Sequence, residues 1–141
     1  MPHALVKWAG GKTFIGTDST RHSVVMSAER AELCVGMKPS DMLMVALGTC
    51  TAVDVVEILA KKRTPVSALE IEVGGEQDAD PPWTFRKFHL TFKLRGQGLS
   101  SRNVAQAIQL AEEKYCSVAA TVRGIAEITF DYQIEEDKET I

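Results

Sequence analysis

Apolar and polar residues alternate in several short stretches of the chain, and this alternation is typical of β-strands with one buried face. The pattern predicts strands over residues 4–8, 13–15, 24–26, 68–73, 85–94 and 125–134. Gly10-Gly11 marks a turn after the first strand. Residues 68–73 and 85–94 are expected to form a hairpin across the polar loop 74–82.

A longer segment follows a different rule, because it is apolar on nearly all sides. Pro39 suits the first turn of a helix, and the segment predicts a helix that runs to about Lys62. Its clearly polar residues between positions 42 and 56 are Thr49, Thr51 and Asp54. A helix of this kind has to be covered on most sides, so a second subunit is expected.

Two more helices are predicted towards the end of the chain. Ser100 or Ser101 caps a helix whose apolar residues recur at helical spacing. Cys116 falls at the end of that helix or in the turn that follows, and residues 118–122 predict another short helix. Strands and helices together indicate an α+β fold.

Length and charge limit what the chain can be. Its 141 residues fit a single domain, 1–141, ending in an acidic tail over about residues 135–141. The formal net charge is −3 and no basic stripe stands out, so no nucleic-acid partner is expected. The tail is interpreted as a solvated segment without a role.

The location expected from the sequence is cytoplasmic. The first residues have neither the basic start nor the apolar run of a signal peptide. The apolar helix carries Asp54 and Glu57, which would be costly in lipid, so it is interpreted as a buried helix of a soluble protein with no membrane partner. A structural disulfide would tend to be reduced in that compartment.

Three cysteines are the candidates for chemistry. Cys34 lies in a polar stretch and is interpreted as incidental. Cys50 lies inside the apolar helix, shortly after Gly48, a residue usually kept in a helix where something approaches the backbone closely. From spacing alone, Cys50 and Cys116 are as consistent with core packing as with a redox pair. The histidines are scattered and no CxxC is present, so no metal and no cofactor are expected.

Both cysteines lie in segments that resemble a known family. Residues 39–56, which include Pro39-Ser40-Asp41 and Gly48-Thr49-Cys50, are similar to the first cysteine helix of the osmotically inducible protein C (OsmC) family, which includes the organic hydroperoxide resistance proteins. Residues 113–119 resemble its second cysteine segment. The similarity extends over about residues 4–134 and is greatest to a less characterised branch.

The resemblance implies both an architecture and an activity. The architecture is an OsmC-like fold, with antiparallel sheets wrapped around two long central helices in an intertwined homodimer. The activity is that of a thiol peroxidase that reduces organic hydroperoxides or hydrogen peroxide. By carry-over, Cys50 is the peroxidatic thiol and Cys116 the resolving thiol. An external dithiol, in relatives sometimes a lipoyl-type protein, would regenerate the pair.

Two positions depart from the family pattern. The hydroperoxide resistance branch has an activating arginine in the N-terminal glycine turn, where this chain has Lys12, and lysine lacks the planar bidentate fork. That branch also has glutamate after the proline, where this chain has Ser40 followed by Asp41. The resemblance therefore assigns Lys12 and Asp41 to the site, as substitutes.

Other cations and other functions stay open. Asp41 is out of phase with Cys50 on a regular helix, so it could act only from a non-helical segment or across the dimer. Arg21, Arg30 and Arg123 are alternative activating cations. The departures also allow a non-enzymatic dimer that binds an apolar small molecule, or a redox sensor that signals through the same disulfide.

Overall fold

The computed structural model describes residues 3–137, and the chain forms two compact units, residues 1–43 and 44–141. The strands are β1 Leu5–Trp8, β2 Thr13–Thr17, β3 Ser23–Ser27, β4 Ala68–Gln77, β5 Phe85–Arg95 and β6 Glu127–Glu135. The helices are α1 Pro39–Lys61, α2 Ser101–Leu110 and α3 Ser117–Val122, with a short 3-10 turn at Ala31–Leu33. The α+β class is confirmed. The single domain stays a prediction, and residues 138–141 of the acidic tail lie outside the described residues.

The first unit is an antiparallel meander of β1, β2 and β3. Gly10 and Gly11 form the predicted turn between β1 and β2, with φ angles of +100° and +55° that favour glycine. The indole N–H of Trp8 donates to the carbonyl of Gly11 at 2.9 Å and braces the turn. Lys12 follows directly, and its backbone N–H donates to the side chain of Glu29.

The second unit contains a mixed sheet rather than an antiparallel one. β4 and β5 form the predicted antiparallel hairpin, but β5 and β6 are parallel, so the expectation of antiparallel sheets is wrong for this pair. Parallel neighbours need a crossover connection, and residues 96–126 with α2 and α3 supply it. The crossover carries Cys116.

The two faces of this sheet differ in polarity. The inward residues of β5, Phe88, Leu90, Phe92 and Leu94, are buried and join one hydrophobic core with residues of α1, α2 and α3. The opposite face carries cross-strand pairs of charged residues. Arg95 pairs with Glu135 at 2.9 Å, and His89 lies 3.0 Å from Asp131. These exposed pairs help to set the register of β5 against β6.

Helix α1 buries one stripe rather than most of its surface. Its buried residues include Leu47, Thr51, Val55 and Leu59, which recur at four-residue spacing. Val45, Val53 and Val56 are 45%, 53% and 41% exposed. The chain alone therefore leaves part of the apolar surface of α1 uncovered, and its coverage by a second subunit stays a prediction. By length and composition α1 could also cross a membrane, a test that the core helix of a soluble protein passes equally.

Candidate functional site: a half-buried cysteine beside a buried one

Cys50 lies in the middle of α1 and is half-buried. Gly48, two residues earlier, is buried where the helix meets the sheet, and a Cβ atom there would lie 3.0 Å from Cγ2 of Val73. That spacing is tighter than ordinary van der Waals contact. Gly48 thus lets α1 approach β4 closely, which is the close approach that the sequence indicated.

Cys116 lies where two helical segments meet. Residues Ala111–Tyr115 extend α2 by a single π turn, and the backbone N–H of Cys116 donates to the carbonyl of Ala111 at 2.8 Å. Cys116 itself is extended and caps α3, since its Sγ accepts a hydrogen bond from the backbone N–H of Ala119 at 3.3 Å. Its side chain is 2% exposed.

The second unit brings these two cysteines close together. Thr51, the neighbour of Cys50 on α1, places its hydroxyl oxygen 3.7 Å from Sγ of Cys116. The same hydroxyl donates to the carbonyl of Leu47 at 2.9 Å, which fixes its rotamer. Both thiols are free, and each lies near enough to affect the ionisation of the other.

The surroundings of the two thiols push their pKa values apart. Burial raises the pKa of the Cys50 thiol, but hydrogen bonds with Cys116, Val118 and Ser117 outweigh it, so the net pKa lies below the usual value. Burial, followed by the hydrogen bond with Cys50, raises the pKa of Cys116. The lowered pKa favours the reactive thiolate at Cys50, and the raised pKa favours the protonated thiol at Cys116.

The strongest stabilisers of the Cys50 thiolate are hydrogen-bond donors rather than a cation. Apart from Cys116, they are backbone groups of Ser117 and Val118 and the hydroxyl of Ser117, all at the start of α3. Backbone N–H groups at a helix N-terminus favour a neighbouring negative charge. Arg123, one of the predicted cations, instead donates from its guanidinium to the carbonyl of Glu112.

Two carboxyl groups of the second unit have raised pKa values. Glu112 lies in the π turn, is 7% exposed, and has a buried Oε1 without a hydrogen-bond partner. Burial raises the pKa of Glu112 to about 7, against the attraction of Arg123. Burial and the nearby charge of Glu57 raise the pKa of Asp54, one turn after Cys50.

The remaining predicted residues belong to the first unit. Lys12 lies in the β1–β2 turn, and Asp41 lies within the first turn of α1 rather than in a non-helical segment. The thiol of Cys34 donates to the carbonyl of Gly36 at 3.1 Å. Within residues 3–137, no group of three or more His, Cys, Asp or Glu side chains is arranged to hold a metal ion.

The sequence did not single out three residues of this site. In the sequence Thr51 is only a polar position of the helix, although its place beside Cys50 is a usable signal. Ser117 follows Cys116 directly, as a residue suited to the start of a helix. Glu112 gave no signal, because Glu112-Glu113-Lys114 looks like an ordinary charged helix end.

Comparisons with known proteins give the family. The family model for OsmC-like proteins matches residues 30–131. Protein YhfA of Escherichia coli strain K12 is 35% identical over 131 residues, which are 93% of this chain and 96% of that protein. A hypothetical protein of Aquifex aeolicus superposes with a TM-score of 0.87 at 24% identity, covering 98% of both chains. The organic hydroperoxide resistance protein OhrB of Bacillus subtilis shares the fold, with a TM-score of 0.63 at 14% identity over 94% of this chain and 98% of its own. This chain belongs to the OsmC-like protein family.

Proposed function

We propose that this protein is a thiol-dependent peroxidase that reduces organic hydroperoxides, with Cys50 as the peroxidatic and Cys116 as the resolving cysteine. One observation carries the proposal. A half-buried thiol with a lowered pKa lies beside a buried thiol with a raised pKa. Peroxide reduction needs a thiolate for the first step and a second thiol for the next one. The peroxide class comes from the family and its hydroperoxide resistance members.

The chemistry balances in two steps. The Cys50 thiolate attacks the terminal oxygen of the hydroperoxide, the S–O bond forms as the O–O bond breaks, and the alkoxide takes a proton from solvent to leave as an alcohol. Cys50 is then a sulfenic acid, oxidised by two electrons. The Cys116 thiol condenses with it, so that the S–S bond forms and water leaves. A dithiol reductant, such as a lipoyl protein, returns both thiols by exchange.

A homodimer completes the proposal. Val45, Val53 and Val56 expose an apolar surface along α1 that a second copy of the chain would cover. Because Asp41 is helical, we infer that it reaches the site from the partner subunit, and we keep Lys12 as a candidate cation. The assembly would be intertwined, with the sheets around the long helices. We also infer a cytoplasmic location, where free thiols persist.

Peroxide consumption tests the activity. Reduced protein is mixed with t-butyl or cumene hydroperoxide in a stopped-flow instrument, and the loss of peroxide is followed together with intact mass. Wild type and Cys34→Ser, the matched control, should consume peroxide and form the Cys50–Cys116 disulfide. Cys50→Ser should be inactive, and Cys116→Ser should stop at the Cys50 sulfenic acid. Consumption by wild type no faster than by Cys50→Ser would refute the peroxidase and favour a binding protein with unmodified thiols.

Molar mass in solution tests the dimer. Val53→Asp puts a charge into the exposed apolar surface of α1 and should give a monomer by light scattering. Ile125→Asp, at a residue 66% exposed outside α1, should stay dimeric. A monomeric wild type would show that no second copy covers α1.

A further inference from the structure

A hydrogen bond joins the two ends of the segment that carries Cys116. This segment begins in the π turn, where Glu112 lies, and ends at Arg123, the residue that closes α3. The guanidinium of Arg123 reaches back and donates to the backbone carbonyl of Glu112. This contact, the clasp, joins the far end of α3 to the π turn and encloses Cys116 between its two anchor points.

The clasp opposes the motion that a disulfide requires. In the reduced protein, Sγ of Cys116 accepts the N–H of Ala119 and so caps α3. Both thiols are free, so forming an S–S bond of about 2.05 Å draws the two sulfur atoms together, and any movement of the Cys116 sulfur takes it away from this position. The first turn of α3 then loses its cap, and the segment shifts between its anchors. The rate of the resolving step thus depends on the strength of the clasp.

Glu112 is the group that can change the strength of the clasp. The residue is 7% exposed, and Oε1 of its carboxyl is buried with no donor to bond it. Among residues 3–137, the charged groups that act on this carboxyl are Arg123 from α3 and Glu113 from the same turn. When Glu112 ionises, its carboxylate competes with its own backbone carbonyl for the Arg123 guanidinium, and a buried carboxylate without a donor is unfavourable.

We propose that Glu112 is a positioning residue for Cys116. When the carboxyl of Glu112 is protonated, the clasp stays closed and Cys116 stays in place as the cap of α3. When it is a carboxylate, the clasp opens and Cys116 can reach the oxidised Cys50. This role rests on the proposed function, because it concerns the condensation of the Cys116 thiol with the Cys50 sulfenic acid, in which the S–S bond forms and water leaves. The pKa of about 7 for Glu112 places the change near neutral pH.

Amide hydrogen exchange tests the clasp without any peroxide. Reduced wild type, Glu112→Gln and the matched control Glu113→Gln are exchanged at pH 6 and pH 8, and the protection of residues 111–123 is corrected for intrinsic exchange. Wild type should lose about tenfold in protection at pH 8, since opening lowers the Glu112 pKa and each pKa unit is a factor of ten. Glu113→Gln, which removes the weakest of the influences on the Glu112 carboxyl, should keep most of this loss. Glu112→Gln should show equal protection at both pH values, and Arg123→Gln low protection at both. Equal pH dependence in wild type and Glu112→Gln overturns the proposal.

Single-turnover oxidation tests the consequence for Cys116. One equivalent of hydroperoxide is added, and the conversion of Cys50 sulfenic acid to disulfide is timed by quenching between pH 5.5 and pH 8.5. The ratio of the wild-type rate to the Glu112→Gln rate cancels the titration of Cys116 itself, and it should rise about tenfold around pH 7. A ratio independent of pH overturns the positioning role. Absence of sulfenic acid overturns the proposed function and the role at Cys116 together, while the exchange result still decides the clasp.

Discussion

Replacing Glu112 by glutamine should change how the stability of the protein depends on pH. Glu112 is a buried residue, and its Oε1 is buried without a hydrogen-bond partner. Glutamine has nearly the same shape and carries no charge. The substitution therefore removes the ionisation and leaves the packing of the π turn largely unchanged.

The direction of this pH dependence follows from the pKa of Glu112. Burial raises the pKa of Glu112 from an ordinary 4.5 to about 7, so the folded protein binds this proton more tightly than the unfolded chain. The contribution of the proton to stability is complete below about pH 4.5 and is lost as pH rises through about 7. At about 1.36 kcal/mol per pKa unit, this interval corresponds to about 3 kcal/mol. Solvent screening of the charge makes this an upper value.

Urea unfolding at constant protein concentration measures the effect at pH 5, 6, 7 and 8. The free energy of unfolding of Glu112→Gln minus that of wild type should increase by up to about 3 kcal/mol between pH 5 and pH 8. Glu113→Gln removes an exposed charge whose effect on the pKa of Glu112 is smaller than that of burial or of Arg123, so it should keep most of the pH dependence of wild type. A difference between Glu112→Gln and wild type that is the same at pH 5 and pH 8 would show that Glu112 ionises freely, and the reasoning would be wrong.

Two further substitutions test the site and its support. Ser117→Ala removes a donor to the Cys50 thiolate and should slow alkylation of Cys50 by iodoacetamide at pH 6.5 about threefold. Thr121→Ala, the control on the same helix, should leave the alkylation rate unchanged. Equal rates for Ser117→Ala and wild type would exclude the Ser117 hydroxyl as a stabiliser. Gly75→Ala would put a Cβ atom 2.7 Å from the ring of Phe85 and should lower the free energy of unfolding by about 1–3 kcal/mol. In Gly74→Ala the nearest atom to the new Cβ lies at 4.0 Å, so the loss of stability should be clearly smaller. Equal losses for the two variants would refute the steric argument.

The elements with strong periodicity could be predicted from the sequence. The helix that starts at Pro39, the capping Ser100 and the alternation in β5 all follow from local rules, and the structure confirms each of them. Ser100 accepts the backbone N–H of Asn103, as a capping serine does. The whole-chain resemblance supplied the fold.

The parts that local rules missed depend on partners distant in sequence. Residues 74–77 look like a polar loop, but β4 continues through them, because pairing with β5 outweighs the poor strand propensity of the two glycines. The parallel pairing of β5 and β6 depends on the crossover, which alternation alone does not reveal. The pKa values of Cys50 and Glu112 depend on burial and on donors that only the folded chain supplies.

The π turn before Cys116 has a consequence for how such a site can arise. A π turn closes its hydrogen bond over five residues instead of four, so it holds one residue more than the α-helical turn it replaces. Deleting a single residue between 111 and 115 would restore the four-residue spacing and leave the direction of the following sulfur nearly unchanged, since the backbone N–H of the cysteine would still meet the carbonyl of Ala111. An extra residue wound as ordinary α-helix would instead rotate the sulfur by about 100° around the helix axis. The π turn thus lets this segment carry one more residue while the cysteine keeps facing Cys50.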